Sequence, residues 1–141
     1  MSKVTPSQLA SCIDHTLLKP EATAWQIDQL CEQAIELGCW AVCVDLFWLP
    51  RAVEGISSSG APVKIDTVVA YPTGAMPTAL KVAQARWALD HGADEIDMVA
   101  NIGALCDGQD QLVQDEIAAV AEAVHTASAD KLLKVILETA A

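Results

Sequence analysis

Asp97 and Lys134 are the two side chains of this sequence whose positions most directly suggest chemistry. Each is an ionisable residue inside an apolar run, Asp97 within Glu95–Val99 and Lys134 within Leu132–Leu137. Because an ionised group is costly to bury without a partner, the two patterns predict that this carboxylate and this ammonium pair with each other. The pair is either a structural ion pair or a proton-transfer site in which each group adjusts the pKa of the other. The two interpretations are compatible.

Other polar residues near these runs have simpler structural explanations. His15 lies in Asp14–Thr16, which we predict to be a loop before the first long helix, and a structural histidine is the simpler interpretation. Cys43 shares a strand face with the residues two positions away, so it either lies near the mouth of a site or packs in the core. Asn101 follows a strand and either donates hydrogen bonds at the site or caps a turn. Two lysines are expected to be solvated surface charges: Lys64 and Lys81.

Four strands, with helices between them, must position these groups. The predicted strands are short apolar runs of the length of buried parallel strands: Cys39–Asp45, Val63–Tyr71, Glu95–Ala100 and Leu132–Glu138. The predicted helices have capping residues, apolar periodicity or glycine stops: a short helix from Thr5, one from Thr23 to Leu37, one after Pro50 that ends near Gly60, one from Thr78 to His91 and one from Leu112 to Thr126.

The alternation of these elements limits the architecture to two types. Strands recur about every 30 residues, which is typical of βαβ units. A doubly wound sheet often has a glycine-rich turn after its first strand, but Leu46–Pro50 contains no glycine. A (β/α)8 barrel instead gathers polar groups at inward positions near the carboxyl ends of several strands, as seen here. We therefore predict one α/β domain over residues 1–141, a half-barrel made of the first four β/α units of a (β/α)8 TIM barrel with an N-terminal helical extension.

Composition excludes several classes of partner. The chain has 141 residues, 19 acidic and 8 basic side chains, and a net charge of −11, which disfavours binding to nucleic acid or to an anionic membrane. No apolar run is long enough for a signal peptide or a spanning helix. The five cysteines form no CxxC pair, so we predict reduced thiols, no metal site and a cytoplasmic protein.

Five segments, in order along nearly the whole chain, resemble the deoxyribose-phosphate aldolases. They are Ile13–Thr23 (IDHTLLKPEAT), Val42–Val44 (VCV), Thr67–Gly74 (TVVAYPTG), Gly92–Val99 (GADEIDMV) and Leu133–Thr139 (LKVILET). The resemblance implies a (β/α)8 barrel and a class I aldolase, a carbon–carbon lyase that cleaves 2-deoxyribose 5-phosphate into glyceraldehyde 3-phosphate and acetaldehyde. Such an enzyme uses a lysine Schiff base and needs no metal or other cofactor.

The resemblance also implies roles for individual residues. Asp97 would be the acid/base aspartate that transfers protons through water, and Lys134 would be an inward lysine that helps to set the charge of Asp97. The acetaldehyde side of the pocket would be lined by three residues: Thr16, Leu18 and Cys43. The partners implied are therefore a small aldehyde and a sugar phosphate.

One departure from the family pattern affects activity. The family's Schiff-base lysine lies in a later segment resembling Val-Lys-Thr-Ser-Thr-Gly, which these 141 residues do not contain. We therefore expect the chain alone to be inactive, unless Lys134 itself serves as the nucleophile. The alternative is a non-catalytic, oligomerising half-barrel scaffold. In either case the first and fourth predicted strands leave open edges, and we expect homo-oligomers to pair through them.

Overall fold

The computed structural model describes residues 4–141, and these form an α/β fold with one parallel sheet. The strands are β1 (Asp14–Leu17), β2 (Ala41–Val44), β3 (Lys64–Val69), β4 (Glu95–Val99) and β5 (Leu132–Ile136). Each strand pairs in parallel with the next one along the chain, so the sheet order is β1-β2-β3-β4-β5. This topology is that of consecutive β/α units and confirms the predicted fold class.

Helices precede and connect the strands, and five of the six described helices lie at the predicted places; the short helix Ile102–Cys106 was not predicted. They are α1 (Pro6–Ala10), α2 (Ala24–Leu37), α3 (Leu49–Ser59), α4 (Thr78–Asp90), α5 (Ile102–Cys106) and α6 (Asp110–Ala127), with a 3-10 turn at Leu46–Trp48 before α3. The capping boxes predicted at Thr5 and Thr23 are both formed. Gly38 ends α2 with a φ of 68°, as a C-terminal glycine commonly does. None of the helices in residues 4–141 is long and apolar enough to cross a membrane.

The prediction of a loop at Asp14–Thr16 is wrong, because these residues belong to β1. The strand pairs with β2 in the register Asp14↔Ala41 to Leu17↔Val44. Its sequence shows no apolar run because β1 lies at the edge of the sheet and is only partly buried, whereas β2, which is equally short, is buried throughout. The described sheet therefore has five strands rather than four, and its edges are β1 and β5.

The main hydrophobic core lies between the sheet and its helices. Alternate strand residues such as Val42, Ile65 and Ile96 pack there against α2, α3 and α4. Side chains at the intervening positions point to the opposite, inner face of the sheet, because strand residues alternate in direction. Those intervening positions hold the ionisable groups, so the inner face is polar where the helix-covered face is apolar.

The sheet is strongly curved around its inner face. Five strands in a flat sheet would place β1 and β5 roughly 19 Å apart, at about 4.8 Å per strand. Here the Nζ atom of Lys134 on β5 lies 2.6 Å from Oδ2 of Asp14 on β1. A lysine side chain cannot span the flat distance, so the contact shows the curl expected of a barrel wall.

Lys81 is buried, which corrects the prediction that it is a surface charge. Its side chain is 0% exposed; Nζ lies 2.8 Å from Oε2 of Glu116 and donates a hydrogen bond to the carbonyl of Val99. Lys81 is buried because α4 packs along α6, and this contact covers the face of α4 that carries the lysine. Lys64, the other lysine expected at the surface, is half-buried.

The loop between β3 and α4 packs tightly on the end of β4. A Cβ atom on Gly74, whose φ is 66°, would lie 1.9 Å from the carbonyl oxygen of Ala100. Only glycine fits this contact.

Ala70, at the end of β3, also has a positive φ, of 56°, and its backbone amide donates a hydrogen bond to Oε1 of Gln84 at 2.9 Å.

Candidate active site

Lys134 is the centre of a cluster of charges on the inner face, which we call the inner-face cluster. Its Nζ atom lies 2.6 Å from Oδ2 of Asp14, 3.0 Å from Oδ2 of Asp66, 3.2 Å from Oε2 of Glu95 and 3.1 Å from Oδ1 of Asp97. The predicted pairing of Asp97 with Lys134 is therefore confirmed. The pairing is broader than predicted, because one ammonium faces four carboxyl groups.

Strand register explains how the cluster is assembled. Asp97 on β4 lies directly opposite Lys134 on β5. Asp66 on β3 lies opposite Cys43 on β2 and Glu95 on β4. This row lies next to the row of Asp97, because Glu95 precedes Asp97 by two residues on β4. Because residues two apart share a strand face, Glu95 and Asp97 point to the same side. The sheet thus presents two adjoining rows of polar side chains to the same space.

The cluster has a closed end and an open end. The side chains of Asp66 and Glu95 are 0% and 5% exposed, whereas those of Asp97 and Lys134 are 19% and 32% exposed. Trp40 donates a hydrogen bond from Nε1 to Oε1 of Glu95 at 2.6 Å and so fixes the closed end. The accessible part of the cluster therefore comprises Asp97, Lys134 and Asp14, whose side chain is 27% exposed.

Three carboxyl oxygens of the cluster lack a directed hydrogen bond within residues 4–141. They are Oδ1 of Asp66, Oε2 of Glu95 and Oδ1 of Asp97. The oxygens of Glu95 and Asp97 still contact the Lys134 ammonium, at ion-pair distance. Oδ1 of Asp66 has no such contact, so it is the buried polar atom that most requires an explanation.

The neighbours of Lys134 hold it in its charged form. Burial alone would lower the pKa of this lysine, but the hydrogen bond that it donates to Asp14, the negative charge of Asp66 and the hydrogen bonds to Asp66 and Asp97 outweigh burial. The pKa of Lys134 is consequently raised above its ordinary value. A protonated amine has no lone pair with which to attack a carbonyl, so this environment disfavours Lys134 as a covalent nucleophile.

The surroundings of Asp66, in contrast, favour its neutral form over its charged form. Burial is the largest cause and the negative charge of Asp97 is the next; Lys134 offsets part of both. Together these raise the pKa of Asp66 to about 7. One carboxyl group of the inner-face cluster therefore favours its neutral form far more than an ordinary aspartate does.

Cys43 lies beside the same carboxyl groups as a neutral thiol. It is 2% exposed, and one oxygen each of Asp66 and Asp97 lies within 4.8 Å of its sulfur and of each other. Burial, followed by the charges of Asp66 and Asp97, raises the pKa of Cys43. A neutral, buried thiol is a packing surface rather than a nucleophile.

The other residues predicted to line the substrate pocket lie on and just after β1. Thr16 is exposed, and its hydroxyl donates a hydrogen bond to the carbonyl of Asp14 at 2.8 Å. Leu18 is half-buried. His15 faces α2, where Nε2 lies 3.0 Å from Oε1 of Gln33, in agreement with a structural role. Asn101 caps α5 by accepting from the amide of Ala104, which agrees with the capping alternative.

Two sets of side chains in the described residues have the composition of a cation site. One is Asp14, Asp66 and Glu95; the other is Cys43, Asp66 and Asp97. The Lys134 ammonium lies at ion-pair distance from all three carboxylates of the first set. It lies at the same kind of distance from Asp66 and Asp97 of the second set. The chain thus supplies its own cation at this position.

A separate cavity of about 470 Å³ opens at the carboxyl ends of β1, β2 and β3. Its lining includes the polar side chains of Lys19, Asp45, Tyr71 and Gln84, but no member of the inner-face cluster. Burial raises the pKa of Asp45 there. The sequence analysis did not predict this cavity.

Three members of the inner-face cluster were missed by the sequence analysis: Asp14, Asp66 and Glu95. Asp66 and Glu95 carried the same signal as Asp97, since each is a carboxylate in or at the start of a buried strand. Glu95 also precedes Asp97 by two residues and so had to share its face. Asp14 had no comparable signal, because its strand was not recognisable from the sequence.

Comparisons with known proteins give a consistent result. The model of the DeoC/LacD family aldolases matches residues 9–141. A deoxyribose-phosphate aldolase of Thermococcus gammatolerans is 47% identical over 131 residues, which cover 93% of this chain and 57% of that protein. One of Streptococcus gordonii is 48% identical over 132 residues, covering 94% of this chain and 57% of that protein.

A solved structure agrees with these sequence matches. The tetrameric deoxyribose phosphate aldolase of Aeropyrum pernix superimposes with a TM-score of 0.83 at 28% identity, covering 95% of this chain and 54% of that one. The chain thus spans just over half the length of the relatives that it matches.

Proposed function

Because the chain belongs to the DeoC/LacD family of aldolases, we propose that its inner-face cluster serves the cleavage of 2-deoxyribose 5-phosphate into acetaldehyde and glyceraldehyde 3-phosphate. Deoxyribose-phosphate aldolase is the name of the relatives that share 47% and 48% of their aligned residues with it. The observation that carries the proposal is the 3.1 Å contact between Asp97 and Lys134 at the open end of the cluster. It places a partly exposed carboxylate where a substrate on the inner face can meet it.

The proposed reaction is a Schiff-base retro-aldol cleavage. A lysine amine adds to the C1 aldehyde and water leaves, which gives an iminium ion. A base removes the proton of the C3 hydroxyl, the C2–C3 bond breaks and its electron pair moves onto the iminium to form an enamine. Glyceraldehyde 3-phosphate departs. The enamine then takes a proton at C2, and water hydrolyses the iminium to release acetaldehyde and the free amine.

We assign the proton transfers of this sequence to Asp97, acting through a water molecule. Lys134 remains an ammonium ion and supports Asp97 electrostatically, since its pKa is raised. Cys43 supplies a small apolar surface beside Asp97, and Thr16 and Leu18 supply the adjoining wall of the acetaldehyde side. The Schiff-base lysine in this proposal is contributed by a segment outside these 141 residues, and the 141-residue chain alone does not turn over.

The same proposal includes assembly and compartment. The five cysteines are free, which supports a reducing compartment such as the cytoplasm. In the described residues the outer edges of β1 and β5 have no strand beside them, which supports pairing between copies of the chain. These open edges also favour the alternative function, a non-catalytic oligomerising scaffold.

A cleavage assay separates the two functions. We expect no glyceraldehyde 3-phosphate from the 141-residue chain alone. We expect turnover when the chain is joined to the remaining C-terminal part of the Thermococcus gammatolerans relative. In that joined protein, Asp97→Asn should lower kcat by about 100-fold or more, as loss of a positioned acid/base group does.

The matched control is Asp90→Asn, which changes an exposed carboxylate at the end of α4 and should leave kcat unchanged. Turnover that does not respond to Asp97→Asn would contradict the proposed role of the inner-face cluster. Folded joined protein without any turnover would favour the scaffold.

A further inference from the structure

We propose that Asp66 is a positioning residue for Asp97: its buried Oδ1 atom carries a shared proton that hydrogen-bonds the Asp97 carboxylate and fixes it toward the open end of the inner-face cluster. The significance of this contact for catalysis rests on the proposed function. The contact itself does not depend on the proposed function and can be tested without turnover.

The first argument is the position of the two oxygens of Asp66. The side chain is 0% exposed, and Oδ2 accepts a hydrogen bond from Lys134 at 3.0 Å. Oδ1 is buried and has no hydrogen-bond partner within residues 4–141. A buried, unpaired carboxylate oxygen is costly, whereas a protonated one can donate a hydrogen bond.

The second argument is the proximity of an acceptor. Carboxyl oxygens of Asp66 and Asp97 lie within 4.8 Å of each other and of the Cys43 sulfur. Lys134 contacts both carboxyl groups, at 3.0 and 3.1 Å, and so holds them side by side. A proton on Asp66 would give Asp97 a second fixed contact besides Lys134.

The third argument is the charge of the cluster. Four carboxylates and one ammonium have a net charge of −3 when all are ionised, in a largely buried space. One bound proton reduces this to −2 at the most buried carboxyl group. The pKa of Asp66, raised to about 7 by burial first and then by the charge of Asp97, is consistent with that proton.

The simpler alternative is that Asp66 is ionised and forms only an ion pair with Lys134. It would then release its proton at acidic pH, and Asp97 would not sense it near neutrality. The two accounts therefore differ in how Asp97 responds to pH. Ionisable groups face Asp66 from every neighbouring strand and must be considered in the titration: Asp14 of β1, Cys43 of β2, Glu95 and Asp97 of β4, Lys134 of β5, and Lys64 on β3 itself.

The test is a pH titration of the 141-residue chain, labelled with ¹³C at the aspartate carboxyl carbons and followed by NMR between pH 4 and pH 9. We expect the Asp66 signal, identified by its loss in Asp66→Asn, to titrate with a midpoint near 7. We expect the Asp97 signal to show an inflection at the same pH. Asp66→Asn should remove that inflection and retain the fold, because an amide can still donate to Asp97 and accept from Lys134.

The exposed variant Asp90→Asn is the control and should leave both titrations unchanged. An Asp66 midpoint near the ordinary aspartate value, or an Asp97 inflection that survives in Asp66→Asn, would overturn the inference. If the variant does not fold, the Asp66 and Asp97 signals are assigned by through-bond correlation in the unmodified, labelled chain, and an Asp66 midpoint near 7 with a matching Asp97 inflection is then the deciding result. Absence of aldolase activity would count against the proposed function only, since the titration does not depend on turnover.

Discussion

At the scale of single residues, Lys134 is the shared partner of a group of carboxylates. Its ammonium lies within 3.2 Å of four carboxyl groups. Asp97, at the open end, has a side chain that is 19% exposed. The ionised form of Asp66, at the closed end, is disfavoured in the folded chain. Burial and the negative charge of Asp97 raise its pKa by more than Lys134 lowers it. This imbalance has a consequence for stability.

We predict that Asp66→Asn stabilises the chain at pH 8 and has a smaller effect at pH 5. The folded chain retains the Asp66 proton up to about pH 7, whereas the unfolded chain loses it near 3.8. Between these values the folded state binds more protons, so its stability falls as pH rises. Asparagine removes this loss, and we expect a gain on the order of 2 kcal/mol at pH 8 in urea unfolding. A variant equally or less stable than the parent at pH 8 would contradict this.

The residue scale also shows where sequence reasoning succeeds. The Asp97–Lys134 pair could be predicted because each group lies in an apolar strand and needs a partner. Asp66 satisfied the same criterion and could have been included. Lys81 could not, because a lysine on a surface helix looks solvated until the packing of α4 on α6 is known.

At the scale of elements, Lys81 joins three parts of the fold just beyond Asp97. From α4 it reaches Glu116 on α6 and the carbonyl of Val99 at the end of β4. Glu116 in turn accepts a hydrogen bond from the amide of Asn101. These contacts fix the end of the strand that carries Asp97.

We predict that Lys81→Met destabilises the chain by about 3 kcal/mol, because Glu116 is left as a buried, unpaired carboxylate. The double variant Lys81→Met with Glu116→Gln should recover most of this loss, since a glutamine oxygen can still accept from Asn101. Both values come from urea unfolding. The control is Asp28→Asn, which breaks an ion pair with Arg51 that is more than 40% exposed on both sides and should have little effect. A double variant no more stable than Lys81→Met would show that the ion pair is not the cause.

Strand β1 is the element that sequence reasoning could not find. The inner strands of the sheet have apolar runs because helices cover one of their faces and the curved sheet encloses the other. Strand β1 lies at an edge, is only partly buried and has polar residues at three of its four positions. Its polar inner residue, Asp14, is explained only by Lys134 on the far edge of the sheet, and no local pattern reveals that contact.

At the scale of the whole molecule, the curved sheet with two unpaired edges is the main feature of the described residues. Its inner face is polar, yet Leu132 at the start of β5 is 44% exposed there. Open edges and exposed apolar groups favour association with a second chain.

We predict that the 141-residue chain is larger than a monomer in light scattering. Leu132→Lys on β5 should shift it toward the monomer, because charged residues at an edge strand oppose pairing. Leu112→Lys is the matched control, since Leu112 lies on α6 with the same 44% exposure. A monomeric parent chain, or equal effects of the two substitutions, would rule out pairing through the β5 edge.

The central claim is that these residues provide the acid/base and electrostatic part of an aldolase site, with Lys134 as an ammonium ion rather than the nucleophile. Borohydride trapping with acetaldehyde, followed by peptide mass spectrometry, tests it most directly. We predict no adduct on Lys134 in the 141-residue chain, and an adduct on a lysine of the added segment when the chain is joined to the C-terminal part of a relative. An adduct on Lys134 that disappears in Lys134→Ala would contradict the account.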